Sequence, residues 1–480
     1  MEAMILKIFI FIILLHNIVN CNVIINKYDD VKCVLDNKLI EEINSYEDVV
    51  SRIFSYVLNG DFKGMSYNEL SQFVDKFGAR SSGSKVLEDS IDYMINLTKR
   101  EDINDIVTEE VEVPHWVRGE ESVTMIEPRL KNMAVLGLGF SVSTPVEGIT
   151  AEVVVVRNFT ELESLDNDKV KDKIVLYDPV YTTYGETVVY RSQGATKAAE
   201  KGAMASLIKS IAPFSINSPH TGMQAYGKNV TSIPTAAITL EDADLIRRLY
   251  DRGEKVILHV TLMNSLDTKK SRNTLIDLKG TENPEKLVIV SGHIDSWDVG
   301  QGAMDDGGGI MISWAVPVIL KRLKLSPKRT VRTIFWTGEE LGLVGAQAYE
   351  EKHRNESDNI NIIMESDEGT FSPRGLEVAA SQEGKCIIAE VLKLFSAINA
   401  TTLTESKYPG SDITVIVSKG IPGASLLNKN EKYFWFHHSE GDTMNVLDSH
   451  ELDLCTAFWT SVAYILADIT PDIPRETTTD

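Results

Sequence analysis

At 480 residues, 43% hydrophobic and 25% charged, the chain has the composition of an ordinary soluble globular protein with room for two or three domains. Its net charge of -22 excludes the basic surface that a nucleic-acid partner requires. None of the four cysteines has metal-ligand spacing, which excludes a thiolate metal site.

Residues 1–21 read as a signal peptide for the secretory pathway. Lys7 supplies the positive charge, residues 8–15 form an apolar run too short to span a bilayer, and Val19-Asn20-Cys21 suits cleavage. No later segment reads as transmembrane, so no transmembrane anchor is expected. Sequons at Asn96, Asn158, Asn229, Asn355 and Asn399 accord with export. Cys386 and Cys455 are candidates to pair, and the sequence leaves that pairing open. Residues 22–44 are polar and weakly patterned, which fits a pro-segment or a loosely packed arm. Residues 45–78 carry apolar side chains at helical spacing through Val49, Val50, Ile53, Phe54 and Val57. Residues 77–84 form a turn and 86–97 a further helix. Residues 107–113 alternate as a strand.

A second composition runs over 146–262. Short β-rich runs lie at 150–156, 174–177, 233–238 and 255–262, with an alanine-rich helix at 194–203. Acid–histidine clusters are missing from this stretch, which reads as an inserted, non-catalytic domain. From 273 onward strands and helices alternate: strands at 287–290, 331–336, 360–364 and 424–427, helices at 309–323, 343–352, 386–398 and 452–467. Fully apolar strands between helices predict an α/β fold, a mixed and mostly parallel sheet flanked by helices. Ligands in such sheets sit at the carboxyl ends of the strands.

Five clusters of acids and histidines fall at those ends. His293 and Asp295 follow the 287–290 strand, and a neutral imidazole with a partner to fix its tautomer makes a good zinc ligand. Asp305 and Asp306 precede three glycines, a turn on which a carboxylate can bridge two metals; helix capping is the ordinary alternative. Glu339 and Glu340 follow the 331–336 strand. Adjacent side chains diverge, so one acid can bind metal while the other serves as general base. Asp367 follows 360–364 and is a better ligand candidate than Glu365. His437 and His438 follow the aromatic run 433–436, and either histidine could close the set. Alone, each cluster has a structural explanation; together, at strand ends, they point to a two-metal hydrolase with oxygen and nitrogen ligands, best suited to zinc.

In this order the clusters resemble the zinc exopeptidase family that includes bacterial leucyl aminopeptidases and glutamate carboxypeptidases. The likeness is carried by residues 291–309 and 433–444 and extends over nearly the whole chain after the signal. It implies two zinc ions per subunit, His293 and Asp367 on one, Glu340 and His438 on the other, and Asp305 bridging them. Glu339 matches the catalytic base, and Asp295 and Asp442 stand behind the ligands. The family tends to place a cis peptide after the bridging aspartate, here 305–306. Ser411, Asp412 and Tyr433 are substrate-pocket candidates. The resemblance further implies a zinc peptidase domain over 45–145 and 263–470, a protease-associated insert at 146–262, a tail at 471–480, and a homodimer, secreted or lysosomal, that cleaves small peptides, specifically dipeptides with free termini.

Overall fold

The computed structural model describes residues 33–476. The expected signal peptide, residues 22–32 and the last residues of the tail lie outside the described residues; within the rest of the 22–44 segment, Asn37–Asn44 is a helix with Ile43 buried in the core. The helical run expected over 45–78 is two helices, Glu47–Leu58 and Met65–Phe77. Asn59 and Gly60 end the first, and Gly64 at φ +71° begins the second, a left-handed conformation that costs glycine little.

The main sheet has eight strands, in the spatial order Ile106–Val117, Ser265–Leu278, Arg329–Trp336, Asn283–His293, Ile360–Glu365, Gly423–Asn428, Pro373–Ala379 and Thr402–Glu405. The four central strands run parallel and both flanks join antiparallel. The core follows from strand alternation. Val288 and Val290 face one apolar cluster, which includes helices Gly308–Arg322 and Ser449–Asp468, while Leu287 and Ile289 face another, with Tyr349 and Ile416. Segment Ala303–Arg322 is long and apolar enough to cross a membrane, but it is buried here as core up to Leu320, with only Lys321 and Arg322 reaching the surface.

A second eight-stranded sheet is built from residues 121–262, so the boundary expected at 146 is corrected: strands Glu121–Glu127, Lys131–Met133 and Val135–Gly137 pair into this sheet and not the first. Its central strands, Ile149–Val156, Ile174–Tyr177, Ala205–Lys209 and Thr235–Ile238, are parallel, with apolar clusters on both faces. The two sheets are joined through the long ribbon of Ile106–Val117 against Ser265–Leu278. Sequence patterning missed the second strand of that ribbon, because residues 265–270 are exposed and, apart from Leu266, polar.

Cys386 pairs with Cys33, with Cα atoms 5.5 Å apart, so the candidate Cys386–Cys455 pairing is corrected. Cys455 is buried and donates its thiol to the Phe371 carbonyl instead. The five sequon asparagines are all exposed.

Candidate metal centre

Strand register gathers the site. His293 lies beside Trp336, and Ser291 beside Glu365, so three parallel strands end at one level. The chain leaving them carries His293, Glu339, Glu340 and Asp367 into a common cleft. The glycine-rich segment after the loop 294–302 brings Asp305 between them, and the peptide bond from Asp305 to Asp306 is cis.

Two imidazoles face the two oxygens of Asp305. His293 donates through Nδ1 to the Asp295 carbonyl at 3.0 Å, so its Nε2 lone pair points to Asp305 Oδ1 at 3.1 Å and Asp367 Oδ1 at 3.0 Å. His438 donates through Nδ1 to the Thr221 carbonyl at 3.3 Å, and its Nε2 faces Glu340 Oε2 at 3.1 Å and Asp305 Oδ2 at 3.3 Å. Lone pairs brought this close repel unless a proton or a metal ion lies among them. Asp305 Oδ2 and Glu340 Oε1 are moreover buried without hydrogen-bond partners, which is costly for a carboxylate oxygen unless a cation meets it. The residues therefore fit metal ions. His437 Nε2 also approaches Asp305 Oδ2, at 3.5 Å, but its ring is stacked on His438 at 3.5 Å, and His438 is the one that meets Glu340.

The electrostatics agree. Burial lowers His438, but Glu340 and Asp305 outweigh it and push the imidazole up to about 9. Burial likewise opposes charge on His293, and Asp367 and Asp305 overcome it. Glu340 is pushed up to about 7, first by burial and then by Asp305. Glu339 is raised by burial and by Asp367 and Glu340. Such a cluster of carboxylates stabilises added positive charge.

Supporting residues differ in part from expectation. Asp442 acts as a nest for the 303–305 turn, accepting from the Ala303, Met304 and Asp305 amides at 3.1, 2.7 and 3.2 Å. Asp295 holds the His293 tautomer through its backbone carbonyl. Its carboxylate, 4.0 Å from His293 Nδ1, instead accepts the Glu339 and Glu340 amides at 3.1 and 3.3 Å. Ser411 and Tyr433 line a cavity of about 1080 Å³ with Asp305, Glu339, Glu340, Asp367 and His438. The Ser411 hydroxyl donates to Asp367 Oδ2 at 2.5 Å and Tyr433 to the Asp367 carbonyl at 3.0 Å. Asp412 does not join them: it is 0% exposed, outside the cavity lining, and neither carboxylate oxygen has a hydrogen-bond partner. Its side chain points into the protein because the loop is turned by Glu365, which accepts the Ser411 and Ile413 amides.

The 146–262 segment, expected to stand apart from catalysis, reaches the site. Tyr184, Arg191 and Met223 line the cavity. Tyr184 stacks on Phe434 with ring centroids 4.6 Å apart. Arg191 donates to the Thr221 and Met223 carbonyls at 3.2 and 3.3 Å. His220 Nδ1 donates to the His437 carbonyl at 2.6 Å, and the Thr221 amide to the His438 carbonyl at 2.9 Å. Nothing in the local sequence marks these residues, since they lack the strand-end acid pattern.

The chain resembles known proteins over the same regions. Carboxypeptidase Q of Xenopus laevis is 48% identical over 436 residues, spanning 90% of this chain and 92% of that protein. The chain belongs to the carboxypeptidase Q family. The human carboxypeptidase Q is 46% identical over 91% of this chain and 92% of its own length. The profile of peptidase family M28 matches residues 273–463, the stretch that holds every residue of the cluster. Among solved structures, a peptidase M28 precursor from Shewanella amazonensis SB2B superposes with a TM-score of 0.86 at 28% identity, over 91% of this chain and 100% of that one. A zinc aminopeptidase from Bacillus subtilis shares the fold, with a TM-score of 0.64 at 18% identity over 86% of this chain and 98% of that one. The chain is a metallopeptidase of the carboxypeptidase Q type.

Proposed function

We propose that the chain is a dizinc exopeptidase that hydrolyses dipeptides with free termini. The observation that carries this reading is Asp305, each of whose oxygens faces a different imidazole. His293 and Asp367 would hold one zinc ion, Glu340 and His438 the other, with Asp305 shared. Bound zinc supplies Lewis acidity that polarises the scissile carbonyl and acidifies water. Glu339 lines the cavity beside this set and accepts the proton of the attacking water, then passes it to the leaving amine. Asp295 keeps Glu339 and Glu340 apart through their amides, and Asp442 holds the Asp305 turn, so both act through position. The rings of Tyr184, Tyr433, Phe434 and His437 exclude water from the wall beside the reacting bond.

Arg191 favours a free carboxyl terminus. It is a buried cation in the lining of a cavity otherwise rich in carboxylates, and guanidinium is the group suited to bind a carboxylate there. Export through the secretory pathway, to the extracellular space or the lysosome, is supported by the exposed sequons and by a disulfide, which suits an oxidising compartment. The unit built on the second sheet, residues 121–262, is proposed as a protease-associated insert and the enzyme as a homodimer.

The test is hydrolysis of free, N-blocked and C-blocked dipeptides by the purified chain, beside Glu339→Gln, with zinc content measured on both. The variant is expected to keep its zinc and to lose roughly 10²–10⁴-fold in kcat. A zinc-loaded wild type that cleaves no free dipeptide, or a variant as active as wild type, would overturn the reading.

A further inference from the structure

The turn at 77–84 carries a residue that the proposed reaction leaves unused. Arg80 is 0% exposed, and its guanidinium lies over the Phe73 ring at 4.9 Å. Its acceptors are backbone carbonyls. Nε donates to Ile294 at 2.8 Å, Nη1 to Gly78 at 3.1 Å and Gln301 at 2.8 Å, and Nη2 to Gly302 at 2.9 Å. The Arg80 amide donates to Ser296 Oγ at 2.9 Å, and the Ser296 amide returns to the Arg80 carbonyl at 3.2 Å.

Every hydrogen bond but the one to Gly78 falls on residues 294–302, the segment that joins His293 to Asp305. Ile294 is the first residue after one histidine of the cluster, and Gly302 stands three before Asp305. The fork thus grips both ends of the connecting loop. The fit is close: a Cβ on Gly302, itself at φ +55°, would meet Ser296 Cβ at 2.5 Å and Arg80 Nη2 at 3.0 Å. Asp442 then takes over from Arg80 along the chain, holding the amides of 303–305 where Arg80 holds the carbonyls of 301 and 302. Four buried carboxylates, Asp295, Asp305, Asp306 and Asp442, act on Arg80 electrostatically and favour its charge. Burial opposes them, lowering the group to about 10, so it remains a cation at neutral pH.

We propose that Arg80 is a positioning residue of the metal site, which clamps the His293–Asp305 segment and supplies fixed positive charge behind its carboxylates. It rests on the metal-site reading above. A guanidinium suits both tasks because its planar donors reach several carbonyls at once, which an ammonium cannot reproduce.

The test uses the full chain with Arg80→Lys and Arg80→Gln, folding followed by circular dichroism and thermal melting, and cobalt(II) as a visible metal probe. Both variants should bind cobalt about 10–100-fold more weakly than wild type, Gln more weakly than Lys, as expected for an outer partner of metal ligands. At saturating cobalt, kcat should fall more than KM changes. Folded variants with cobalt affinity and kcat unchanged from wild type would overturn the proposal. Should neither variant fold, Ser296→Ala removes a single tie and leaves the guanidinium in place; an about two- to fivefold loss of cobalt affinity supports the proposal, and unchanged affinity overturns it. A wild-type chain that takes up no cobalt would overturn the metal-site reading itself.

Discussion

The two imidazoles proposed as ligands beside Asp305 are each held by a carbonyl on the other nitrogen, His293 by Asp295 and His438 by Thr221. The first partner is two residues away and the second lies in another part of the chain. That contrast explains which residues were legible in sequence. His293, Glu340, Asp367 and His438 were visible because each ends or follows a run that burial makes apolar, and Asp305 because it stands just before three glycines. Asp412 was misread because its neighbour Ser411 faces the cavity while the next side chain points inward. His220 gave no signal, since a lone histidine in a polar loop has no period to break. Its environment still makes a prediction. Burial lowers its pKa to about 4, below the ordinary 6.5, so the unfolded chain takes up the proton first on acidification. Stability from this group is present above about pH 6.5 and is lost as pH falls toward 4, by about 3 kcal/mol in total. His220→Asn can keep the donor to the His437 carbonyl without a titrating ring. Urea melts at pH 4.5 and 7.5 should show a smaller pH dependence for the variant; an equal dependence would refute the assignment.

At the scale of elements, central strands were the easiest to read. Residues 287–290 and 360–364 are buried on both faces, so composition alone marks them. Edge strands such as Thr402–Glu405 are largely exposed and carry polar residues, so they have no such mark. The 59–64 break in the helical run hides for a different reason: its apolar spacing continues through Phe62 and Met65, which are packed in or against the same core. Covalent ties are least legible of all. Cys33 and Cys386 are 353 residues apart, and only the packing of helix Gln382–Leu392 against Asn37–Asn44 brings them together. Cys33→Ser should lower stability by about 2–4 kcal/mol, the usual effect of losing a disulfide that closes a long loop. Chemical denaturation with and without reductant checks this: reductant should destabilise wild type and leave the variant unaffected.

At the scale of the whole molecule, the site is a joint product of the two sheets. Arg191 and Tyr184 come from the second, Glu339 and Ser411 from the first, and one cavity holds all four. Arg191→Gln should therefore raise KM about tenfold or more for a dipeptide with a free carboxyl group, since a charge-assisted hydrogen bond contributes about 1.5–3 kcal/mol. The same substitution should leave any cleavage of the C-amidated peptide nearly unchanged. Equal effects on both would mean that Arg191 acts through the Thr221 loop alone. Metal removal should also be felt globally. A chelator would leave the buried carboxylates without their cations, and the melting temperature should fall by roughly 5–10 °C, restored by zinc. From its sequence alone the chain determined its fold class, the order of its ligand candidates and the chemistry they suit, because those depend on which residues end buried strands and on the donor atoms they carry. Tertiary structure decided which histidine meets Glu340, which cysteines pair, where Asp412 points, that Arg80 packs on the 294–302 segment, that Arg191 lines the cavity and that Thr221 bonds His438. Those outcomes depend on distances between segments far apart in the chain, which local patterning does not encode.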